Sequence, residues 1–252
     1  MRLFKKNKTR RYLTSYAQSG EDILAYNVLC QHMKIAKPTY IDIGAHDPIR
    51  LSNTYLFYQL GCRGLLIEPD PDCVKQLQKK RRHDKILAAG ISADNAGTAP
   101  FYRMNQPTLN TFSLRDAEDA CKQGPYEIIE RMNVPVLPIA QAIDENMTDR
   151  PNFVSIDAEG LDVSILKTYD FDRHAPELIC IESAEFCENN IGPLRNEIFE
   201  MLDAKGYFLY ASTYLNGHFV NRQAWQVRVG APPKTTLKPT KESESIAISS
   251  AA

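Results

Sequence analysis

The fold of this chain is decided by the stretch Tyr40-Ile41-Asp42-Ile43-Gly44-Ala45-His46-Asp47-Pro48. Its first four residues form a short, mostly apolar run, and Gly44 follows immediately. Such a run, closed by a glycine, is typical of a buried strand that ends in a tight turn. Ser52 can then cap a helix that stops at Gly61. The stretch therefore predicts a strand, a turn and a helix.

The same unit repeats further along the chain. Residues 65–68 form a second apolar run, Asp70 can cap the next helix, and Pro71 takes its favoured first position. Further runs cover residues 86–91, 153–157 and 178–182. Parallel strands that are covered by helices on both faces need such continuous apolar runs.

Both ends of this region complete the expected fold. Upstream, Ser19 and Asp22 have the spacing of a capping box and predict a helix over residues 20–33. Downstream, a helix over 193–205 precedes two apparent strands, which suit an antiparallel hairpin. These strands cover residues 207–211 and 225–229, and the loop between them contains Asn216-Gly217. We expect an α/β protein with a doubly wound sheet of seven strands whose terminal pair is antiparallel.

The segment between the third and fourth runs is longer than one crossover helix requires. We expect it to include an insertion over residues 101–132, close to the crevice where a doubly wound sheet binds its ligand.

The composition excludes several classes of protein. Of 252 residues, 43% are hydrophobic and 24% charged, which is enough apolar surface for a sizeable core and excludes a disordered or fibrous chain. Thirty basic and thirty-one acidic side chains give a formal net charge of −1, so no overall field attracts nucleic acid. No run approaches the ~18 apolar residues of a membrane span. We expect a cytoplasmic protein with neither a membrane span nor a nucleic-acid partner.

Composition also divides the chain into three parts. Residues 1–14 form a basic N-terminal segment, and residues 15–230 are expected to form one domain. Residues 231–252 carry too few large apolar groups to order themselves, so we expect a disordered C-terminal tail. The six cysteines include no C-x-x-C pair and are expected to be reduced thiols, and the histidines lack zinc-ligand spacing.

Acidic residues mark the expected ligand site. Four of the five apolar runs end in an acid, namely Asp42, Glu68, Asp157 and Glu182. The carboxyl ends of parallel strands meet at one edge of the sheet, where ligands bind. Each acid alone could simply cap the next helix, but together they favour a binding site.

The turn after the first strand separates the candidate cofactors. A dinucleotide needs the glycines of G-x-G-x-x-G, whereas here only Gly44 is present and Asp47 would repel a pyrophosphate. S-adenosylmethionine has no phosphate and carries a sulfonium cation, so a single glycine and an acidic rim suit it better. Glu68, at the end of the second run, stands where a carboxylate accepts the hydroxyls of a cofactor ribose.

Five motifs, in order along the chain, carry a resemblance to a known family. They are Tyr16-Ala17-Gln18-Ser19-Gly20-Glu21-Asp22, Ile41-Asp42-Ile43-Gly44-Ala45-His46-Asp47-Pro48, Ser52-Asn53-Thr54, Ile67-Glu68-Pro69-Asp70-Pro71 and Ser155-Ile156-Asp157-Ala158-Glu159-Gly160. Together they resemble the FkbM family of S-adenosylmethionine-dependent methyltransferases. The resemblance implies a class I methyltransferase (Rossmann-like) sheet and O-methylation of hydroxyls on saccharides, glycans or related metabolites. Ala158 stands where the family often has valine, and His46-Asp47-Pro48 replaces its common Asn-x-Gly.

Eleven residues are the expected cofactor contacts. The resemblance suggests Gln18, Glu21 and Asp22, as a cluster that folds over the cofactor; helix capping is the alternative. The remaining contacts are Asp42, Gly44, Ala45, His46, Ser52, Glu68, Ile91 and Ser92.

Several of these residues have a specific expected role. Asp42 could accept from the cofactor's amino group or from backbone amides, and His46 could be a ligand contact or a solvated turn residue. Ser52 could cap a helix whose start receives a carboxylate. Ile91 would stack on the adenine, and Ser92 or its backbone would form a hydrogen bond with it.

Asp157 and Glu159 are the expected catalytic residues, and Glu182 is expected to line the same pocket. Methyl transfer to a hydroxyl needs a base within hydrogen-bond reach, and one carboxylate beside another can have a suitably raised pKa. Asp157 could instead only orient backbone amides. The cluster could also hold Mg²⁺ or Ca²⁺, although we do not expect a metal to be required.

Two other functions remain open at this point. An NAD(P)-dependent sugar or nucleotide-sugar reductase would share the sheet and the acid after the second strand, but the missing glycines disfavour it. A third hypothesis is a non-catalytic binding module with the methyltransferase fold. The presence of the acids Asp157 and Glu159 disfavours it.

Overall fold

The computed structural model describes residues 13–93, 95–158, 160–184 and 192–232. Its strands are β1 (Tyr40–Ile43), β2 (Gly64–Ile67), β3 (Lys85–Leu87), β4 (Gly90–Ser92), β5 (Gly97–Met104), β6 (Ile128–Pro138), β7 (Phe153–Ile156), β8 (Leu178–Glu182), β9 (Tyr207–Ser212) and β10 (Asn216–Asn221). Within these residues seven strands form one sheet in the order β3-β2-β1-β7-β8-β10-β9. Strands β3, β2, β1, β7 and β8 pair in parallel, and β10 runs antiparallel to both β8 and β9. The predicted doubly wound sheet with an antiparallel terminal pair is confirmed.

Helices cover both faces of this sheet. They are α1 (Glu21–Tyr26), α2 (Tyr55–Gln59), α3 (Pro71–Lys80), α4 (Leu114–Gln123), α5 (Ile139–Asn146), α6 (Asp162–Thr168), α7 (Phe171–His174), α8 (Asn196–Ala204) and α9 (Arg222–Arg228). The predicted first helix is present, because α1 continues as a π-helical segment to His32. Ser19 does not cap it, since its N-cap is Gly20 in the left-handed region. Asp70 caps α3 as predicted, with its carboxylate accepting from Asp72 N and Cys73 N.

Each central strand contributes to two hydrophobic cores, one on each face of the sheet. In β1, Ile41 and Ile43 belong to one core, and Tyr40 belongs to the other. Side chains alternate between the faces of a strand, so a strand that is covered on both faces must be apolar at successive positions. The continuous apolar runs in the sequence reflect this double burial.

The predicted insertion forms a second, three-stranded sheet in the order β4-β6-β5, with α4 packed beside it. One expectation fails here, because the run at 86–91 is not a single strand. Its first half pairs with β2 as β3, whereas its second half pairs with β6 as β4. An apolar run shows that its residues are buried, but it does not show which partner each half will pair with.

The prediction for the C-terminal hairpin is wrong in its second strand. Asn216 and Gly217 lie within β10, where they pair with β8 and β9, and the region predicted as a strand at 225–229 is mostly the helix α9. The apolar residues Trp225, Val227 and Val229 alternate as in a strand, but only Trp225 is buried. Its ring packs against Phe208 at a centroid distance of 5.7 Å and belongs to one of the two cores.

Most of the basic N-terminal segment and of the C-terminal tail lies outside the described residues, so the division of the chain stays a prediction. In the part of the chain that is described, no helix is long and apolar enough to cross a membrane.

Candidate active site

A cavity opens at the carboxyl ends of β1, β2 and β7, where the strand order reverses. Its empty space, including the part that is open to solvent at the mouth, is about 900 Å³. The predicted residues that line it are Asp42, Gly44, Ala45, His46, Ser52, Glu68, Ile91 and Asp157. The structure therefore brings these predicted residues together at the edge where such sheets bind their ligands.

The turn after β1 leaves no room for a side chain at Gly44. Its φ is +79°, and a Cβ built there would overlap the backbone oxygen of Asp157. The N–H groups of Gly44 and Ala45 donate to the carbonyl oxygen of Ile67, at 3.0 and 3.2 Å. The turn is thus fixed between the ends of β2 and β7, and it requires glycine for both its conformation and its packing.

Glu68 is held by backbone donors at the end of β2. Its carboxylate accepts from His46 N and from Asp70 N, both at 2.8 Å, and the residue is only 5% exposed. Burial raises the pKa of Glu68 to about 7. Each carboxylate oxygen can accept a second hydrogen bond, so the group is oriented by the backbone and still able to receive hydroxyl donors from the cavity.

His46 brings an unsatisfied polar atom to the cavity wall. Its φ is +42°, and among the described residues its buried Nε2 has no hydrogen-bond partner. Burial lowers the pKa of His46, so the ring is neutral at pH 7. A buried polar atom without a partner is costly, so this atom is suited to a hydrogen bond with a ligand.

Asp42 is buried at the end of β1. Its Oδ2 accepts from Thr54 Oγ1 at 2.6 Å. Burial raises the pKa of Asp42, while the Thr54 hydrogen bond and the nearby charge of Arg81 oppose the rise. The N-cap of α2 is Thr54 rather than the predicted Ser52, because the helix begins at Tyr55. Ser52 Oγ accepts from Tyr55 N at 3.2 Å, and Ser52 also lines the cavity.

Asp157 lies at the end of β7 and faces the cavity. The walls around it raise its pKa to about 7, first by burial and then through the charges of Asp162 and Glu182. The surface of Asp157 itself is exposed. The surrounding protein therefore desolvates the Asp157 carboxylate, although the carboxylate itself is not covered. Water in the open cavity reduces this desolvation and so opposes the rise in pKa.

The insertion forms the outer wall of the cavity. The sequence predicted an insertion close to the ligand crevice, but not which of its residues would line the cavity. Its residues in the lining are Phe101, Pro107, Thr108, Asn110 and Phe112. The Phe112 ring lies where a side chain at position 90 would stand, and its centroid is 5.0 Å from that of Phe101.

This wall is tied to the corner of the cavity formed by Glu68. Asp70 Oδ2 accepts from Asn110 Nδ2 at 2.9 Å and from Arg103 Nε at 2.8 Å. Asp70 N in turn donates to Glu68. No residue spacing in the sequence could have indicated these contacts, because they join segments more than thirty positions apart.

A second groove lies on the other side of the insertion loop. Leu109 and Thr111 line this groove, whereas their neighbours Thr108 and Asn110 line the cavity. The other groove residues are Asp116, Ala120, Gly160, Val163, Glu182, Arg195, Asn196 and Glu197. Glu182, predicted to line the pocket, is thus placed in the groove, where Arg195 pairs with it at 3.0 Å.

The remaining predicted site residues do not line the cavity. Glu21 accepts from Ser19 N and Thr213 Oγ1, both at 2.7 Å, and Asp22 accepts from Ser15 Oγ and Tyr16 N. The two acids therefore fasten the segment before α1. Gln18 is exposed, and Ser92 Oγ donates to Asn95 O. Glu159 lies outside the described residues, and the roles of all these residues stay predictions.

Among the described residues, no group of three or more His, Cys, Asp or Glu side chains is placed to hold a metal ion.

The strand order, the antiparallel β10 and the cavity at the switch point define a class I methyltransferase fold. The family follows from a domain match: the methyltransferase FkbM domain matches residues 42–209. The chain belongs to the FkbM methyltransferase family, and the resemblance carried by its motifs is confirmed.

Several solved structures are similar in fold. A methyltransferase FkbM from Methylobacillus flagellatus KT is 16% identical, with 73% of this chain and 44% of that chain covered and a TM-score of 0.42. This chain thus corresponds to less than half of that protein. The 1,6-didemethyltoxoflavin-N1-methyltransferase of Burkholderia thailandensis is 11% identical, with 81% and 77% covered and a TM-score of 0.39. The precorrin-6y C5,15-methyltransferase of Geobacter metallireducens GS-15 is 11% identical, with 85% and 94% covered and a TM-score of 0.43. No curated protein matches this chain.

Proposed function

We propose that this protein transfers a methyl group from S-adenosylmethionine to a hydroxyl of a saccharide, glycan or related polar metabolite. One observation carries the proposal: a one-glycine turn, the backbone-held Glu68 and the acid Asp157 converge on the same cavity. Membership of the FkbM methyltransferase family supports methyl transfer. The hydroxyl acceptor is the finer part of the proposal and rests on Asp157 and the groove beside it.

The residues at the β2 side of the cavity fit a nucleoside. Glu68 would accept the two ribose hydroxyls with the lone pairs that its backbone donors leave available. Ile91, Phe101 and Phe112 would hold the base in an apolar slot. Gly90 matters here because any side chain would displace the Phe112 ring.

The residues at the β1 side fit the methionyl part. Asp42 can accept from an ammonium group, and His46 Nε2 offers an unsatisfied polar atom. The bound cofactor supplies a methyl group on a positively charged sulfur. Three acids line the cavity, Asp42, Glu68 and Asp157, and their field favours a cationic ligand over a pyrophosphate.

Asp157 would act as the general base. As the acceptor oxygen forms its bond to the methyl carbon and the sulfur–carbon bond breaks, the hydroxyl proton would pass to a carboxylate oxygen of Asp157. Its pKa of about 7 suits this role, because the base is both available and strong near neutral pH. Glu159 is proposed to assist it. Glu182 would line the acceptor side, where Arg195 holds its carboxylate.

The second groove would receive the acceptor. It lies across the insertion loop from the cavity, and its residues Glu182 and Arg195 influence the pKa of Asp157, so the two spaces are close to each other. Its lining contains both apolar side chains and hydroxyl, amide and carboxylate groups, which suit the faces and the hydroxyls of a sugar ring. Three lining carboxylates, Asp116, Glu182 and Glu197, outnumber the guanidinium of Arg195. This charge supports an uncharged or cationic acceptor over a phosphorylated one.

Calorimetry with S-adenosylmethionine, S-adenosylhomocysteine and NADH tests the cofactor. We expect both sulfur compounds to bind and NADH not to bind. The absence of binding of either sulfur compound at millimolar concentration would contradict the proposal, and tight NADH binding alone would favour a reductase.

Transfer of a labelled methyl group to paired neutral and phosphorylated glycosides tests the acceptor. We expect product from neutral members. If only the phosphorylated glycosides are methylated, the proposal of an uncharged or cationic acceptor is wrong. Cofactor binding without transfer to any acceptor would favour a non-catalytic binding module.

A further inference from the structure

A buried arginine lies directly beneath the turn that follows β1. Arg81 ends α3, within the strongly basic run Lys79–Arg82, yet it is only 1% exposed and is among the largest fully buried side chains described. Its guanidinium lies over the rings of Tyr58 and Tyr55, at 4.8 and 5.5 Å from their centroids. A buried charge is expensive unless it is paired and hydrogen bonded, so the position of Arg81 calls for an explanation.

The guanidinium is tied to the loop that borders the cavity. Its Nη1 donates to the backbone oxygen of Pro48 at 3.2 Å and approaches Ser52 Oγ at 3.5 Å. Its Nε pairs with Asp84 at 2.8 Å. Arg81 therefore anchors both ends of the segment 48–52 to the second βα unit, below the cavity floor.

Arg81 also controls a hydrogen bond at the cavity itself. Its Nη2 donates to Thr54 Oγ1 at 3.1 Å, and Thr54 Oγ1 lies 2.6 Å from Asp42 Oδ2. A guanidinium can only donate, whereas a hydroxyl both accepts and donates. Arg81 thus occupies one lone pair of the Thr54 oxygen and holds the hydroxyl in place, and the Thr54 hydroxyl donates to Asp42.

We propose that Arg81 is a positioning residue for cofactor binding, which fixes the loop 48–54 and holds in place the Thr54 hydroxyl that donates to Asp42. The inference rests on the proposed function, since it assumes that the cavity binds S-adenosylmethionine. Arg81 does not line the cavity, so it acts only through Thr54, Ser52 and Pro48.

The hydrogen bonds from Arg81 to Thr54 and from Thr54 to Asp42 affect how cofactor binding depends on pH. Removal of the Thr54 hydroxyl removes a hydrogen bond that lowers the pKa of Asp42, so Asp42 would be protonated over a wider range of acidic pH. A ligand that needs an accepting carboxylate would then bind less well at low pH. The charged and titratable groups close to Asp42 are Arg81 and Asp84 below it, Glu68 on β2, Asp157 on β7 and Cys180 on β8. These are unchanged in a Thr54 variant, so the difference between variant and wild type reports on Asp42.

The test is calorimetry of S-adenosylhomocysteine binding to the full chain at pH 6 and pH 8.5. For Thr54→Val we expect an increase in Kd of about tenfold, the size of one lost charge-assisted hydrogen bond, and a larger increase at pH 6 than at pH 8.5. Thr54→Ser keeps the hydroxyl and should restore wild-type binding. The matched control is Thr39→Val, which removes a hydroxyl at the opposite end of β1, where it donates to Arg150 O; it should leave Kd unchanged at both pH values.

Arg81→Lys keeps the charge but loses the forked geometry, and it should weaken binding at both pH values. If this variant does not fold, the Thr54 pair decides the question. Wild-type Kd values for Thr54→Val at both pH values would overturn the inference while the proposed function stands. If the wild-type protein itself does not bind S-adenosylhomocysteine, the proposed function fails and this inference fails with it.

Discussion

The two sides of the cavity are built in different ways. On the β2 side, Glu68 and Asp70 are almost completely buried, and backbone N–H groups orient both carboxylates. On the β7 side, Asp157 is exposed to the cavity, and the Glu182–Arg195 pair beyond it is partly open to solvent. Backbone donors fix one geometry whatever the neighbouring side chains are, whereas side chains set a different surface with each substitution. This contrast suits a constant cofactor on the first side and a particular acceptor on the second.

The largest effect is expected on the β7 side. Asp157→Asn keeps the shape but cannot take a proton, so turnover should fall by about 10²–10⁴-fold. Glu159→Gln should also lower turnover. The Kd for S-adenosylhomocysteine should change little, as calorimetry can show. The control is Asp172→Asn, on the exposed surface of α7. Near-normal turnover in both site variants would remove the base assignment.

A smaller effect, now on cofactor affinity, is expected at the outer wall. Phe112→Ala should raise the Kd for S-adenosylhomocysteine by about tenfold, the usual order for the loss of an aromatic contact to a base. The same loss should appear with 5′-methylthioadenosine, which has the nucleoside without the amino acid part. Tyr126→Ala is the control, since Tyr126 belongs to the insertion but does not line the cavity. Equal effects of the two substitutions would show that Phe112 only stabilises the insertion.

Titration of Glu68 on the β2 side should make the stability of the protein and its affinity for the cofactor depend on pH in opposite directions. The pKa of Glu68 is raised from 4.5 to about 7, so between these values the folded protein holds a proton that the unfolded chain has lost. Stability of the cofactor-free protein should therefore fall as pH rises from about 4.5 to 7. Binding needs the ionised carboxylate, so affinity for S-adenosylhomocysteine should rise with pH, by up to about tenfold per unit below pH 7. Thermal unfolding and calorimetry between pH 5 and 8 measure both trends.

Glu68→Gln cannot titrate and is the control for these trends. It should remove the contribution of Glu68 to each trend and leave the contributions of the other buried or desolvated acids, including Asp42 and Asp157, whose pKa values are also raised. Trends that stay the same size in this variant would show that Glu68 is not their source.

The smallest effect is expected where the insertion is anchored to the β2 side. Arg103 contacts Asp70, Asp72 and Glu130. Arg103→Gln should lower the free energy of unfolding by about 1–2 kcal/mol, because the buried Asp70 loses a charged donor. Urea unfolding can measure this change. Arg115→Gln, which breaks an exposed pair with Asp119, should cost at most about 0.5 kcal/mol. If the two substitutions cost the same, Arg103 is not an anchor.

The contrast between the two sides also shows what the sequence could predict. Asp42, Gly44 and Glu68 were predicted at one site because the ends of parallel strands meet, so a local pattern was sufficient to place them. The burial of Arg81 could not be predicted, because a run of basic residues is typical of a solvated face. Its burial depends on the tyrosines of α2 and on the loop 48–54, which are distant in the sequence. Phe112 was missed for a similar reason, since its place in the lining depends on how the insertion folds back over Gly90.

The C-terminal error has the same physical origin. Alternating apolar residues at 225–229 favour a strand when read locally, but the chain there forms α9 and buries Trp225 between Phe208 and His32. The strand beside it, β10, contains Asn216-Gly217, a pair that is common in turns. In both places tertiary packing overrides the local preference.

We propose that the β2 side of the cavity holds the nucleoside of S-adenosylmethionine. A crystal structure of the complex with S-adenosylhomocysteine would show directly where the nucleoside binds. We expect both ribose hydroxyls to lie within hydrogen-bond distance of the Glu68 carboxylate and the base to lie between Ile91 and Phe112. A complex in which the ligand lies elsewhere, or in which the ribose does not contact Glu68, would contradict it.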